Sequence, residues 1–175
     1  MENIKNIFLI GMMGSGKSSI AKIVSNKLDM QLCDTDTEIE LLSQMSINEI
    51  FNKYGEKRFR EMEKRYFVEM AKQNNIIFAT GGGIILNQES RSTLLNKGVT
   101  FFLDTSIELL LDRIKKFSNR PLLSNSNKSE FLVKLYSDRV QYYKSSCHYK
   151  IKTDLFNQEE ISNQIIDKFN NEFQF

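Results

Sequence analysis

Eight consecutive residues, Gly11-Met12-Met13-Gly14-Ser15-Gly16-Lys17-Ser18, carry the spacing G-x-x-x-x-G-K-[ST]. Glycines at those positions let backbone N–H groups turn inward around phosphate oxygens, and a helix opening at Lys17 adds its positive end. Lys17 can then reach the β- and γ-phosphates of a nucleoside triphosphate, and the Ser18 hydroxyl can serve Mg²⁺. Nucleotide contacts are expected from Gly14, Ser15, Gly16, Lys17, Ser18 and Ser19. The alternative, an ordinary glycine turn, does not call for the lysine and the serine at these positions.

Glycine usage points to a second loop. Of eight glycines, six fall at 11, 14, 16 and at 81, 82, 83. Both clusters follow β-rich runs, and ligands of open parallel sheets bind at the carboxyl ends of strands. Asp34-Thr35-Asp36 also follows a short β-rich run, Gln31-Leu32-Cys33. One of its carboxylates could face the metal and the other a hydroxyl, although aspartate at a helix start also caps. Only seven of the 24 basic residues are arginine. Arg60, Arg120 and Arg139 therefore stand out, because arginine grips carboxylate or phosphate bidentately where lysine offers a point charge. Each alone could equally be a surface residue.

The elements that must carry these groups alternate between strand and helix. Asn6 to Ile10 reads as a buried strand, and Ile20, Ile23, Val24 and Leu28 recur at helical spacing from Lys17 to Leu28. Ser46-Ile47-Asn48-Glu49 is a capping box that opens a helix stopped by Gly55, and Glu56 to about Gln73 is a longer amphipathic helix. Asn75 to Ala79 and Val99 to Leu103 read as strands, with a helix behind the second through Ile107, Leu110, Leu111 and Ile114. A polar stretch, residues 117–129, holds the only proline. A helix from about Ser129 to Tyr143, a short strand at 149–151 and a terminal helix complete the chain. Strands separated by helices imply right-handed crossovers and a parallel sheet covered on both faces.

Composition sets the outer limits. The chain has 175 residues, 41% hydrophobic, with net charge +2, which suits one globular unit over 1–175. No charge excess points to nucleic acid or a membrane surface. Ile7 to Met13 is apolar but short, is preceded by Glu2 and Asn3, and no A-x-A-like site follows, so no leader is expected. No run approaches the roughly 18 apolar residues of a membrane helix. Cys33 and Cys147 lie far apart with no metal-ligand spacing and read as core residues. His148, the single histidine, reads as a strand residue and rules out a Ser-His-Asp triad.

Taken in order, GMMGSGKS, Asp34-Thr35-Asp36, the Gly55-to-Glu63 segment, Gly81 to Gly83, Asn119-Arg120-Pro121-Leu122-Leu123 and the Arg139-to-Tyr143 stretch resemble shikimate kinase over essentially the full length. The phosphate loop is shared by many NTPases; the ordered set is specific. The resemblance implies a three-layer α/β P-loop NTPase fold of the nucleoside-monophosphate-kinase type, with a five-stranded parallel sheet in the order 2-3-1-4-5. It implies ATP- and Mg²⁺-dependent phosphorylation of the shikimate 3-hydroxyl to shikimate 3-phosphate, in aromatic amino acid biosynthesis. By position, Arg60 and Arg139 would clamp the carboxylate, Asp36 would hold the attacking hydroxyl, and Gly81, Gly82 and Gly83 would line the pocket. Asp34 with Ser18 would stand on the Mg²⁺ side, and Glu63 would hold Arg60 in place. Lys17 and Arg120 would spread the γ-phosphoryl charge, residues 117–129 would form a lid, and Arg113 matches an adenine-stacking position. A cytoplasmic monomer working on ATP and shikimate, without nucleic acid or membrane, is expected.

The chain departs from the family pattern at Gln141, where many members carry proline, and at Cys147, where they carry alanine. Both bear on local helix geometry rather than chemistry. Ser18 in place of threonine keeps the hydroxyl. Two other readings remain: a different P-loop metabolite kinase, of the gluconate or nucleoside monophosphate type, and a nucleotide-dependent switch. The switch would want an N-K-x-D guanine motif, and residues 96–99 read Asn-Lys-Gly-Val, without the aspartate.

Overall fold

A computed structural model describes residues 5–115 and 128–172. Arg120, and all but the last two residues of the expected lid at 117–129, lie outside the described residues. The five strands are β1 (Asn6–Ile10), β2 (Gln31–Asp34), β3 (Ile76–Ala79), β4 (Gly98–Asp104) and β5 (Tyr149–Lys152). They form one parallel sheet in the order β2-β3-β1-β4-β5, as expected. Parallel neighbours need crossovers, and the helices supply them: α1 (Lys17–Leu28), α2 (Thr35–Ser43), α3 (Ile47–Met70), α4 (Gln88–Asn96), α5 (Ile107–Lys115), α6 (Lys128–Ser145) and α7 (Gln158–Asn171).

Alternation along β1 divides the core. Ile7 and Leu9 point to one face, where they pack with Ile20 and Val24 of α1 and Ile161 and Ile165 of α7. Phe8 and Ile10 point to the other, against Phe67 of α3, Leu132 and Tyr143 of α6 and Leu110 of α5. Both faces are covered, so β1 and β3 read as continuous apolar runs in which all residues but Asn6 are hydrophobic.

Asn6 is the exception because it ties the loop before β3. Its Nδ2 donates to the carbonyls of Gln73 (2.7 Å) and Ala71 (3.3 Å), and its Oδ1 accepts from the Ile76 backbone (3.0 Å). Asn6→Ala orphans buried backbone groups, so stability should fall by about 2–4 kcal/mol in urea denaturation. A loss below about 1 kcal/mol would show that water replaces these bonds.

Two helices were not foreseen. α2 follows directly on Asp34, and α4 fills the segment after the triple glycine. The capping box at Ser46 forms as expected, with Ser46 Oγ accepting from the Glu49 backbone and the Glu49 carboxylate accepting from the Ser46 backbone. Gly55 breaks α3 at φ 78°, ψ 166°, a left-handed conformation suited to glycine, so the expected stop is a kink and a second helical segment starts at Glu56. His148 lies just before β5 rather than in it. Its backbone N–H donates to Thr100 O and its Nδ1 accepts from Thr100 N, which extends the β4–β5 ladder by one side chain. Cys33 is buried, as read, whereas Cys147 is only half-buried. Among the described residues, no helix is long and apolar enough to cross a membrane.

Candidate active site

Register decides what meets at the carboxyl edge of the sheet. Leu9 and Asp34 both pair with Ala79, so the segments after β1, β2 and β3 leave the sheet at one level. Those segments are the phosphate loop, Asp34-Thr35-Asp36 and the triple glycine.

The phosphate loop is held from below by its own lysine. Lys17 is 8% exposed, and its Nζ donates to the carbonyls of Gly11 and Met12, both at 2.8 Å. Arg113 donates through Nη1 to the Gly14 carbonyl at 3.1 Å, so the expected adenine-stacking arginine rests on the loop. With cations on several carbonyls, the loop suits an anion bound through its N–H groups. Ser15 is buried; Ser18 and Ser19 are exposed.

Ser18 and Asp34, expected on the metal side, are brought together: Ser18 Oγ donates to Asp34 Oδ2 at 2.6 Å. The other Asp34 oxygen caps α2, accepting from the backbone of Asp36 and Thr37. The capping reading of Asp34 therefore holds through one oxygen, and it leaves the other beside the Ser18 hydroxyl. One hydroxyl and one carboxylate oxygen form a hard donor set that suits Mg²⁺, which usually takes one or two carboxylates and completes its shell with phosphates and water.

Next to the loop lies a cavity of about 450 Å³ lined by Asp36, Arg60, Gly81, Gly82, Gly83 and Arg139, all expected site residues. Met13 of the phosphate loop, Ser46, Ile47 and Asn48 of the capping box, and Glu40, Phe51 and Phe59 complete its wall, and none of them was expected to line the acceptor site. Two arginines and Asp36 around apolar rings suit a small hydroxylated anion.

Arg60 is aimed by carboxylates from its own helix. Its Nη1 donates to Glu63 at 2.8 Å, and its Nε and Nη2 donate to Glu56 at 3.2 and 3.1 Å. Glu56 was missed, although glutamate four residues before arginine is a recognisable helical pair. Burial pulls the Arg60 guanidinium down, yet the two glutamates hold it above its ordinary value. Burial pushes the Glu63 carboxyl up, and Arg60 offsets this only in part, with Asp36 adding to the rise. Glu63 Oε1 is buried and accepts from no donor among the described residues.

The triple glycine is required by close approach. A methyl on Gly83 would strike the Arg60 guanidinium, and one on Gly81 would strike the Glu63 carboxylate and meet Asp36 Oδ1 at 2.8 Å. Thr35, between the two aspartates and fully buried, accepts from the Gly81 backbone N–H at 2.9 Å. It joins the aspartate segment to the glycine loop. Arg139 is 6% exposed and donates through Nη1 to the Gly82 carbonyl at 3.2 Å, and the Tyr143 hydroxyl donates to the same oxygen at 2.6 Å.

The chain as a whole has known relatives. The shikimate kinase family model matches residues 13–170. A shikimate kinase of Caldicellulosiruptor bescii is 40% identical over 163 residues, covering 93% of this chain and 94% of that protein. One from Thermodesulfovibrio yellowstonii is 37% identical over 95% of both chains. The solved structure of shikimate kinase from Acinetobacter baumannii in complex with shikimate superposes with a TM-score of 0.94 at 32% identity, covering 99% of this chain and 97% of the other.

Proposed function

The chain belongs to the shikimate kinase family, and we propose on that premise that it transfers the γ-phosphoryl group of ATP to the 3-hydroxyl of shikimate, giving shikimate 3-phosphate and ADP. The observation that carries the acceptor is the cavity beside the phosphate loop, which gathers the Asp36 carboxylate and the guanidinium groups of Arg60 and Arg139 in one lining. A compound carrying a carboxylate and a hydroxyl matches that lining. Gluconate has the same groups on a longer, open chain, and only the family relation favours the ring compound. A monomer in the cytoplasm, where ATP is at hand, belongs to the same proposal.

Positioning dominates the mechanism, because the phosphoryl transition state is loose and demands little covalent help. Lys17 places a positive charge at the phosphate loop, where γ-phosphoryl charge must be neutralised. Arg60 and Arg139 bind the carboxylate and so fix the ring, and Asp36 accepts the 3-hydroxyl proton in a hydrogen bond and orients the oxygen for in-line attack. Ser18 and Asp34 would hold Mg²⁺, which when bound supplies charge neutralisation on phosphate oxygens. Arg120 belongs to the same reading as a further cation toward the phosphoryl group.

The test is coupled ADP release with ATP and Mg²⁺, with and without shikimate. A large shikimate-dependent rate that gluconate and AMP fail to elicit is expected. ATP turnover indifferent to shikimate would keep the phosphate loop and discard the acceptor. Gly83→Ala probes the arginine directly. Its methyl group displaces the flexible Arg60 head, so the shikimate KM should rise at least about tenfold while the ATP KM stays within about twofold. An unchanged shikimate KM would detach Arg60 from the acceptor.

A further inference from the structure

Arg139 and Tyr143 stand one turn apart on α6 and converge on a single acceptor, the Gly82 carbonyl. The tyrosine bond is the shorter, 2.6 against 3.2 Å. The Tyr143 ring is fully buried and stacks on Phe102, with centroids 5.0 Å apart and planes within 13°, so its hydroxyl has little freedom to leave. Around that hydroxyl lie Met12 of the phosphate loop, its Sδ at 3.8 Å, and the glycine loop itself. Arg139, by contrast, lines the acceptor cavity and ends in a guanidinium with several donors to offer.

We infer that the Tyr143 hydroxyl is a positioning group that releases Arg139 to the acceptor's carboxylate, by keeping the shared Gly82 carbonyl satisfied. This rests on the proposed role of Arg139. A bidentate grip on a carboxylate occupies two guanidinium nitrogens in one plane, which competes with the contact from Nη1 to Gly82. Gly82 is half-buried, and leaving its carbonyl with no donor carries part of the desolvation penalty of a buried acceptor. With Tyr143 in place, Arg139 turns away and the carbonyl keeps its stronger bond. Without that hydroxyl, Arg139 is the remaining side-chain donor among the described residues, and each binding event must strip it from Gly82. The penalty then falls on acceptor binding and leaves nucleotide binding untouched.

Tyr143→Phe removes one oxygen and keeps the stacked ring. The shikimate KM should rise about tenfold, with kcat within about threefold and the ATP KM unchanged. In an Arg139→Ala background the same change should alter the shikimate KM less than about twofold, because Gly82 then lacks both donors before and after binding. Equal factors in the two backgrounds would mean a merely structural tyrosine and would overturn the inference. Should Tyr143→Phe fail to fold, a crystal structure of the wild-type protein with shikimate decides. Arg139 should have left the Gly82 carbonyl while Tyr143 remains, and an arginine still seated on that carbonyl overturns the handover. An Arg139→Ala variant with an unchanged shikimate KM would instead strike the acceptor assignment itself.

Discussion

Lys17→Ala should abolish phosphoryl transfer, lowering kcat by at least about a thousandfold, the scale seen when a preorganised cation is removed from a phosphoryl-transfer site. Two effects add. The variant loses the positive charge at the phosphate loop, and it also loses the two bonds of 2.8 Å that hold the Gly11 and Met12 carbonyls. The second effect is the smaller, since ordinary hydrogen bonds contribute about 1 kcal/mol each. Lys17→Arg separates them: a guanidinium can keep a donor near the carbonyls but lacks the compact charge. Activity should remain depressed in Lys17→Arg while urea stability recovers. Near-normal turnover in Lys17→Ala, with the fold intact, would sink the phosphate-loop assignment.

Asp36→Ala should lower kcat by about 10³-fold, within the range attributed to a positioned acid–base group, while ATP binding persists. Asp36 sits in the first turn of α2, close to Gly81 and Glu63, and lines the same cavity as the arginines. Asp36→Asn keeps an acceptor oxygen for the hydroxyl but cannot take its proton. Because the transition state is loose, orientation outweighs early proton removal, and the asparagine variant should retain more activity than alanine, by about tenfold. Equal loss in both would make Asp36 a true base. A raised shikimate KM at unchanged kcat would remove Asp36 from the reacting end altogether.

Most of the architecture was legible because its signals are local and repeated. Buried strands with glycine or aspartate at their ends, a capping box at Ser46 and a helical stripe from Ile20 to Leu28 need no tertiary information. The two missed helices explain themselves. In α2, Ile39 and Thr35 are buried but Leu41 and Leu42 are 66% and 69% exposed, so the apolar residues contradict the helical face. In α4 only Ser90 and Leu94 are buried, and one leucine is too little periodicity to read. The cavity wall was missed for a different reason. Phe51, Phe59 and Glu40 look like core or surface residues of a helix until the turn between α2 and α3 folds over the glycine loop.

By itself, the amino-acid sequence determined the chemistry available: a phosphate loop, a hydroxyl and a carboxylate proposed for the metal, an aspartate, two arginines and a glycine loop, in an order that resembles one family. Those groups are recognisable because each residue type has a fixed donor, acceptor or charge pattern wherever it stands. Only the tertiary structure decided which of them touch. Asp34 divides its two oxygens between Ser18 and the start of α2, Thr35 ties the aspartates to Gly81, and Arg139 and Tyr143 share Gly82 across 57 and 61 residues of chain. Such pairings depend on strand register and on helix rotation over the sheet. Both are set by packing of the whole core, and no short stretch of residues contains them.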